Sequence, residues 1–197
     1  GFVVADGRLV ATNFHVVDQE LDRARKEHLV VFIGSGQQVE YRTCEIAAQD
    51  EHHDLALLRY GGTPLPRLEL GDSSAVREGS SIAFTGFPIG AILGLHPVTH
   101  QGIVSALTPI AIPARDSREL TTTRIAALRE PFEVIQLDAT AYPGNSGSPV
   151  YLQDTGAVVG VINQVFVKGR KENVLRDPSA ITYAIPARYL RDLIERL

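Results

Sequence analysis

About ten short runs of β-forming residues, each closed by Gly, Pro, Asp or Ser, limit what this chain can fold into. The first, "FVVADGRLVATN", reads as two apolar strands joined at Asp6-Gly7, a type I′ hairpin signal. "HLVVFI", "VEYRTCEIAAQD", "DLALLRY", "SIAFTGFP", "QGIVSAL", "FEVIQLDA", "SPVYL", "GAVVGVINQVFV" and "AITYAIP" follow. No helix recurs between them at βα spacing, which excludes a doubly wound parallel sheet and predicts an all-β chain of barrels or a sandwich. A length of 197 residues suits one large domain or two small barrels sharing an interface. The polar, turn-rich stretch 68–81, "LELGDSSAVREGSS", marks the passage between halves. We therefore expect an N-terminal barrel over 1–72 and a C-terminal barrel over 73–185. A terminal helix is expected over 186–197, where Leu190, Leu193, Ile194 and Leu197 repeat at helical spacing behind Pro186. A solvated helix is expected over 18–28, where Asp22 meets Lys26 and Arg23 meets Glu27 at helix spacing.

Composition removes several function classes. A net charge of −4 leaves no basic footprint for nucleic acid. No apolar run approaches the ~18–20 residues of a membrane span. The single cysteine, Cys44, permits no intrachain disulfide, so packing alone must stabilise the fold. Such a chain fits the cytoplasm and equally a bacterial envelope protein built without disulfides. The sequence opens at Gly1 inside a strand and contains no methionine, so the natural start is expected upstream, with any signal peptide or anchor.

The run "YPGNSGSPV" (142–150) places Ser146 between small residues. These are the residues of a surface turn, or of a site where a substrate carbonyl must reach a hydroxyl. A serine hydroxyl needs a base beside it to act as a nucleophile, and that base needs a third group to orient it. Of six histidines, His15 in "ATNFHVV" directly follows a strong strand that can fix its ring. Asp54 opens "DLALL", where a polar residue meets an apolar strand and is expected to be buried. A buried aspartate there can accept from one imidazole nitrogen and leave the other to take the serine proton. The order His15, Asp54, Ser146 is one of three orders in which unrelated folds use this triad. The α/β-hydrolase elbow is excluded, because position 148 is serine instead of glycine and "PVYL" reads as a strand. His52 and His53 suggest a metal, but no Cys or carboxylate partners stand at ligand spacing, and they read as solvated loop residues. No metal or organic cofactor is expected.

"TNFHVV", "DLALL" and "GNSGSPV", with "QGIVSAL", "VIQLDATAYPGNSGSP", "AVVGVI" and "YAIPARYLRDLI", together resemble the trypsin-like serine proteases, in particular the HtrA/Deg branch. The resemblance covers nearly the whole chain and implies two perpendicular six-stranded antiparallel barrels of the chymotrypsin-like fold, with the triad between them. It implies a serine endopeptidase acting through an acyl-enzyme, with an oxyanion hole at the Gly144 and Ser146 amides. Substrates would be unfolded protein or peptide segments in protein quality control. A homotrimer is implied, as is a bacterial periplasmic or envelope location. HtrA proteins usually continue into a PDZ domain, and the resemblance stops short of one. Asp138 matches a position beneath the oxyanion loop, where it would order that loop or cap a strand end. The region 108–131, with Arg115, Arg118, Arg124 and Arg129, is longer than the resemblance leads one to expect.

Specificity is read residue by residue. The pocket is assigned to Thr140, Ala141, Tyr142, Ile162, Ile181 and Tyr183. Trypsin's acidic selector is replaced by Thr140, and the glutamyl endopeptidases' pocket histidine by Ile162. The mostly apolar walls predict a small aliphatic residue before the scissile bond. The rival reading from another class is a double barrel that binds peptide without cutting it, or rests until an activator arrives.

Overall fold

A computed structural model describes residues 1–19, 21, 27–88, 94–109, 131–163 and 181–197. The first half forms one antiparallel sheet. β1 (Phe2–Val4) and β2 (Leu9–Thr12) make the expected hairpin, pairing Phe2 with Ala11 and Val4 with Leu9. The connection is the four-residue loop 5–8, longer than the two-residue turn expected at Asp6-Gly7. Gly7 N–H closes it onto the Val4 carbonyl at 3.1 Å. A one-turn helix, α1 (Phe14–Val17), follows, then β3 (Leu29–Ser35), β4 (Gln38–Asp50) and β5 (Leu55–Tyr60). The sheet order is β1-β2-β5-β4-β3.

The second half closes on itself. β6 (Ser81–Gly86), β7 (Val98–Pro109), β8 (Glu133–Asp138), β9 (Pro149–Leu152), β10 (Val158–Asn163) and β11 (Ile181–Pro186) form a barrel in the order β10-β11-β8-β7-β6-β9. The helix α2 (Ala187–Glu195) begins directly after Pro186 and buries Ala187, Leu190 and Leu193. The all-β class with a terminal helix thus stands as expected.

The first half departs from a closed six-stranded barrel. Among the described residues it is a five-stranded sheet. The chain after β5 does run beside β1, but it makes only spaced contacts, from Leu65 N–H to the Gly7 carbonyl and from Leu68 N–H to the Val3 carbonyl, each 2.9 Å. Pro64 and Pro66 interrupt it, and a proline has no N–H to give to a ladder. The stretch then docks on the other half, where Val158 N–H donates to the Glu69 carbonyl and Gly71 N–H to the Val158 carbonyl. The helix expected over 18–28 lies largely outside the described residues, as do the arginines of 115–129.

β10, "VVGVIN", is buried along its whole length, as expected of a continuous apolar run with structure on both faces. Its two faces serve different cores. Ile162 joins Phe84, Val104, Leu137 and Ala184 inside the barrel. Val158 and Val161 join Phe2, Leu55, Leu57, Ile185 and Leu190 in a cluster shared by both halves and α2.

Candidate active site

Asp54 ends the turn 51–54 with φ +54°, a left-handed conformation uncommon for a residue with a side chain. Its surroundings over-determine it. Its N–H reaches the Glu51 carbonyl at 3.3 Å, and its own carbonyl accepts from Phe14 N–H at 3.2 Å and Asn13 Nδ2 at 3.0 Å. These bonds bring α1 against the turn, and with it His15. His15 N–H donates to Asp54 Oδ1 at 2.8 Å, and Nδ1 lies 2.6 Å from Oδ2. An ionised carboxylate only accepts, so Nδ1 carries the proton and the neutral ring keeps its lone pair on Nε2. The Asp54 side chain is 15% exposed and the imidazole 31%, so the carboxylate lies inside and the ring faces outward.

Asn163, fully buried at the end of β10, donates its Nδ2 to the same Asp54 Oδ2 at 2.6 Å. The residue classes expected of a triad did not point to it. The one sequence clue was its position as the polar terminus of an apolar strand.

The Ser146 segment is fastened next to Asn163. Gly147 N–H donates to the Ile162 carbonyl at 3.0 Å, and Ile162 N–H to the Ser148 carbonyl at 2.9 Å. Gly147 lies against β2 so closely that a Cβ there would stand 2.5 Å from Thr12 Oγ1. Ser146 thus adjoins a glycine that packs on Thr12, three residues before His15 in the chain. Two linked turns shape it. Asn145 N–H bonds the Tyr142 carbonyl at 3.0 Å, with Pro143 and Gly144 (φ +100°) in the corner. Ser148 N–H bonds the Asn145 carbonyl at 3.0 Å, with Ser146 and Gly147 (φ +81°) in the corner. Proline then glycine at the centre is a type II signature, and glycine alone accepts the positive φ at low cost. Among the described residues neither the Gly144 nor the Ser146 amide donates a hydrogen bond within the protein. The Asn145 carboxamide beneath them is fully buried, without a hydrogen-bond partner among the described residues, and packed where a Cβ on Gly86 would intrude.

The expected pocket residues divide. Ile162 and Ala141 belong to the barrel interior, Thr140 is half-buried, and Tyr142 is 42% exposed. Tyr183 packs on the opposite face of β11, against the cluster shared with the first half. Ile181 pairs through its backbone with Asp138. A residue not foreseen, Thr182, clips the segment before the loop. Its hydroxyl donates to the Ala139 carbonyl at 2.6 Å and accepts from Ala141 N–H at 3.2 Å. Asp138 is exposed, and among the described residues it makes no side-chain bond to the loop. His52 and His53 are not the solvated pair expected. His53 is only 18% exposed and bonds Asp50.

Residues 1–161 match the model of the trypsin-like peptidase domain, and this chain belongs to that family. Within it, proteins of the HtrA/Deg type are among those similar to the chain. Serine protease HTRA2, mitochondrial, of Bos taurus is 34% identical over the whole chain, which spans 35% of that protein. A probable periplasmic serine endoprotease DegP-like of Halomonas elongata is 29% identical over the whole chain, which spans 34% of it. The chain thus covers about a third of the length of these curated relatives. Among solved structures, an HtrA-type protease AlgW with decapeptide superposes with a TM-score of 0.68 at 23% identity, over 98% of this chain and 50% of that one.

Proposed function

We propose that this chain is a serine endopeptidase that cuts unfolded protein segments through a His15–Asp54–Ser146 triad. One observation carries the reading: Asp54 accepts hydrogen bonds from both the main-chain N–H and the Nδ1–H of His15, which fixes the tautomer whose Nε2 can act as a base. In the first step Nε2 removes the Ser146 hydroxyl proton as Oγ attacks the scissile carbonyl carbon. The carbonyl oxygen becomes an oxyanion, received by the Gly144 and Ser146 amides. His15 then returns the proton to the leaving amine as the peptide C–N bond breaks, leaving an ester on Ser146. Water, deprotonated by Nε2, hydrolyses that ester and restores the serine. Asp54 stays ionised throughout, stabilising the imidazolium while it exists.

The finer assignments form part of the same proposal. Residues 1–72, 73–185 and 186–197 make one protease domain. A small aliphatic residue precedes the cut bond, selected by Thr140, Ala141, Tyr142, Ile162, Ile181 and Tyr183. The protein acts in quality control in the bacterial periplasm or envelope, as a homotrimer. The names of several relatives support the compartment.

Covalent labelling with a fluorophosphonate, read by intact mass, tests the site. One adduct on the wild type and none on Ser146→Ala is expected. A folded wild type that takes no adduct would support the binding or resting module instead. An adduct that persists in Ser146→Ala would move the nucleophile elsewhere.

A further inference from the structure

The turn that delivers Asp54 contains a second histidine–aspartate pair built on the same pattern as the first. Asp50, the last residue of β4, accepts from His53 N–H on Oδ1 at 3.1 Å and lies 2.8 Å from His53 Nδ1 through Oδ2. Asp54 treats His15 in the same way, main-chain N–H to Oδ1 and Nδ1 to Oδ2. The Asp50 side chain is 9% exposed, so this is an interior bond and not a surface ion pair. His53 immediately precedes Asp54, and its backbone conformation is therefore tied to the left-handed residue beside it.

Elements far away in sequence cover this pair. His53 stacks on Tyr189 of α2 with ring centres 4.0 Å apart and planes at 19°. Phe132, just before β8, meets His53 edge-on at 4.8 Å and His52 at 5.2 Å. The charged and titratable groups around it are Asp50 from β4, His52 from the turn, the Tyr189 phenol, Arg196 at 3.2 Å from Asp50 Oδ2, and the Arg188–Glu133 pair. Arg188 also lies over the Tyr189 ring. Burial opposes the Asp50 charge, but the His53 bonds, the His53 charge and Arg196 outweigh it and hold the carboxyl well below the usual carboxylate range.

We propose that His53 is a positioning residue for the triad: with Asp50, and clamped by Tyr189 and Phe132, it fixes the strained backbone at Asp54 and so the orientation of His15. The position of α2 is then felt at the base. Residues kept in sparsely populated backbone conformations persist only where their surroundings enforce them. Here three of the chain's elements, β4, α2 and the entry to β8, supply that enforcement through a residue outside the proposed triad. The proposal rests on the triad reading above, because the effect is read through His15.

The test compares His53→Ala with His53→Asn, whose Nδ2 can replace the Nδ1–H donor to Asp50, and with Tyr189→Ala. The first readout is the low-field proton NMR signal of the His15 Nδ1–H bond to Asp54, assigned by its loss in His15→Ala and needing no turnover. The second is kcat and KM on casein across pH, with active sites counted by fluorophosphonate. In His53→Ala and Tyr189→Ala the signal should broaden or move upfield. In both, kcat per labelled site should fall about tenfold with KM within twofold, and the acid limb of the pH profile should shift. His53→Asn should recover most of each. A folded His53→Ala with an unchanged signal, acid limb and kcat per site overturns the proposal, whatever its melting temperature. Casein cleavage that survives Ser146→Ala would instead defeat the triad reading, while the NMR comparison would still decide this one.

Discussion

Asp54 Oδ2 receives two donors at once, His15 Nδ1 and Asn163 Nδ2, each at 2.6 Å, while Oδ1 receives the His15 N–H. A carboxylate gripped in this way cannot rotate without breaking a charged hydrogen bond. Asn163 comes from β10 and His15 from the first half, so the aspartate is one point where the two halves meet through polar chemistry, beside the bonds of Glu69 and Gly71 to Val158. Asn163→Ala should lower kcat/KM on casein about ten- to a hundredfold, the worth of one hydrogen bond to a charged group. Wild-type turnover in that variant would show that the second donor is dispensable. The proposed triad of His15, Asp54 and Ser146 can be read from the sequence because each residue stands in a local context of its own kind. One follows a strand, one opens a strand, and one sits among glycines. Asn163, Thr182 and Gly86 were not legible, because each acts only through a partner distant along the chain. For Asn163 that partner is Asp54, and for Gly86 it is the buried Asn145.

At the scale of elements, strands and hairpins were readable from apolar runs and their turn residues, and α2 from its periodicity. The turn 51–54 was not. Adjacent histidines in a strand would face opposite ways, whereas in this turn both rings reach Phe132, at 5.2 and 4.8 Å. Its stability has a defined pH dependence. The Asp50 carboxyl is depressed in the folded state, so its contribution is complete above the unfolded carboxylate pKa of about 3.9 and is lost as pH falls through the lower folded value. Asp50→Asn should cost about 1–2 kcal/mol at neutral pH, allowing for solvent screening of a pair that Arg196 approaches from the surface. Urea midpoints of the two proteins should converge as the pH is lowered from 4 towards about 2. A constant gap over that range would show that the loss is one of packing and not of charge.

On the scale of the whole molecule, the first sheet and the closed barrel do not own separate interiors. Phe2, Val4, Leu9, Leu55 and Leu57 pack in one cluster with Val134, Val158, Val161, Ile185, Leu190 and Leu193. Without a disulfide, and with the first sheet open among the described residues, that cluster is the main apolar burial available to the N-terminal half. The smaller group around Val17, Ala56 and Leu58 adds to it. Neither half should then unfold alone, and the Asp54–Asn163 bond, which spans both, should disappear in the same step. Leu57→Ala should cost about 2–5 kcal/mol, because the cavity opens in a layer both halves share. Two local probes can follow it. Cys44, half-buried in β4 with its thiol pushed up by burial, becomes alkylatable when the first sheet opens. Amides of β8 and β10 exchange when the barrel opens. In wild type and Leu57→Ala alike, the two probes should give one denaturant midpoint, displaced equally by the substitution. If Cys44 becomes reactive at lower denaturant than β8 and β10 exchange, the halves are separable folding units, and the shared cluster is an interface and not a core.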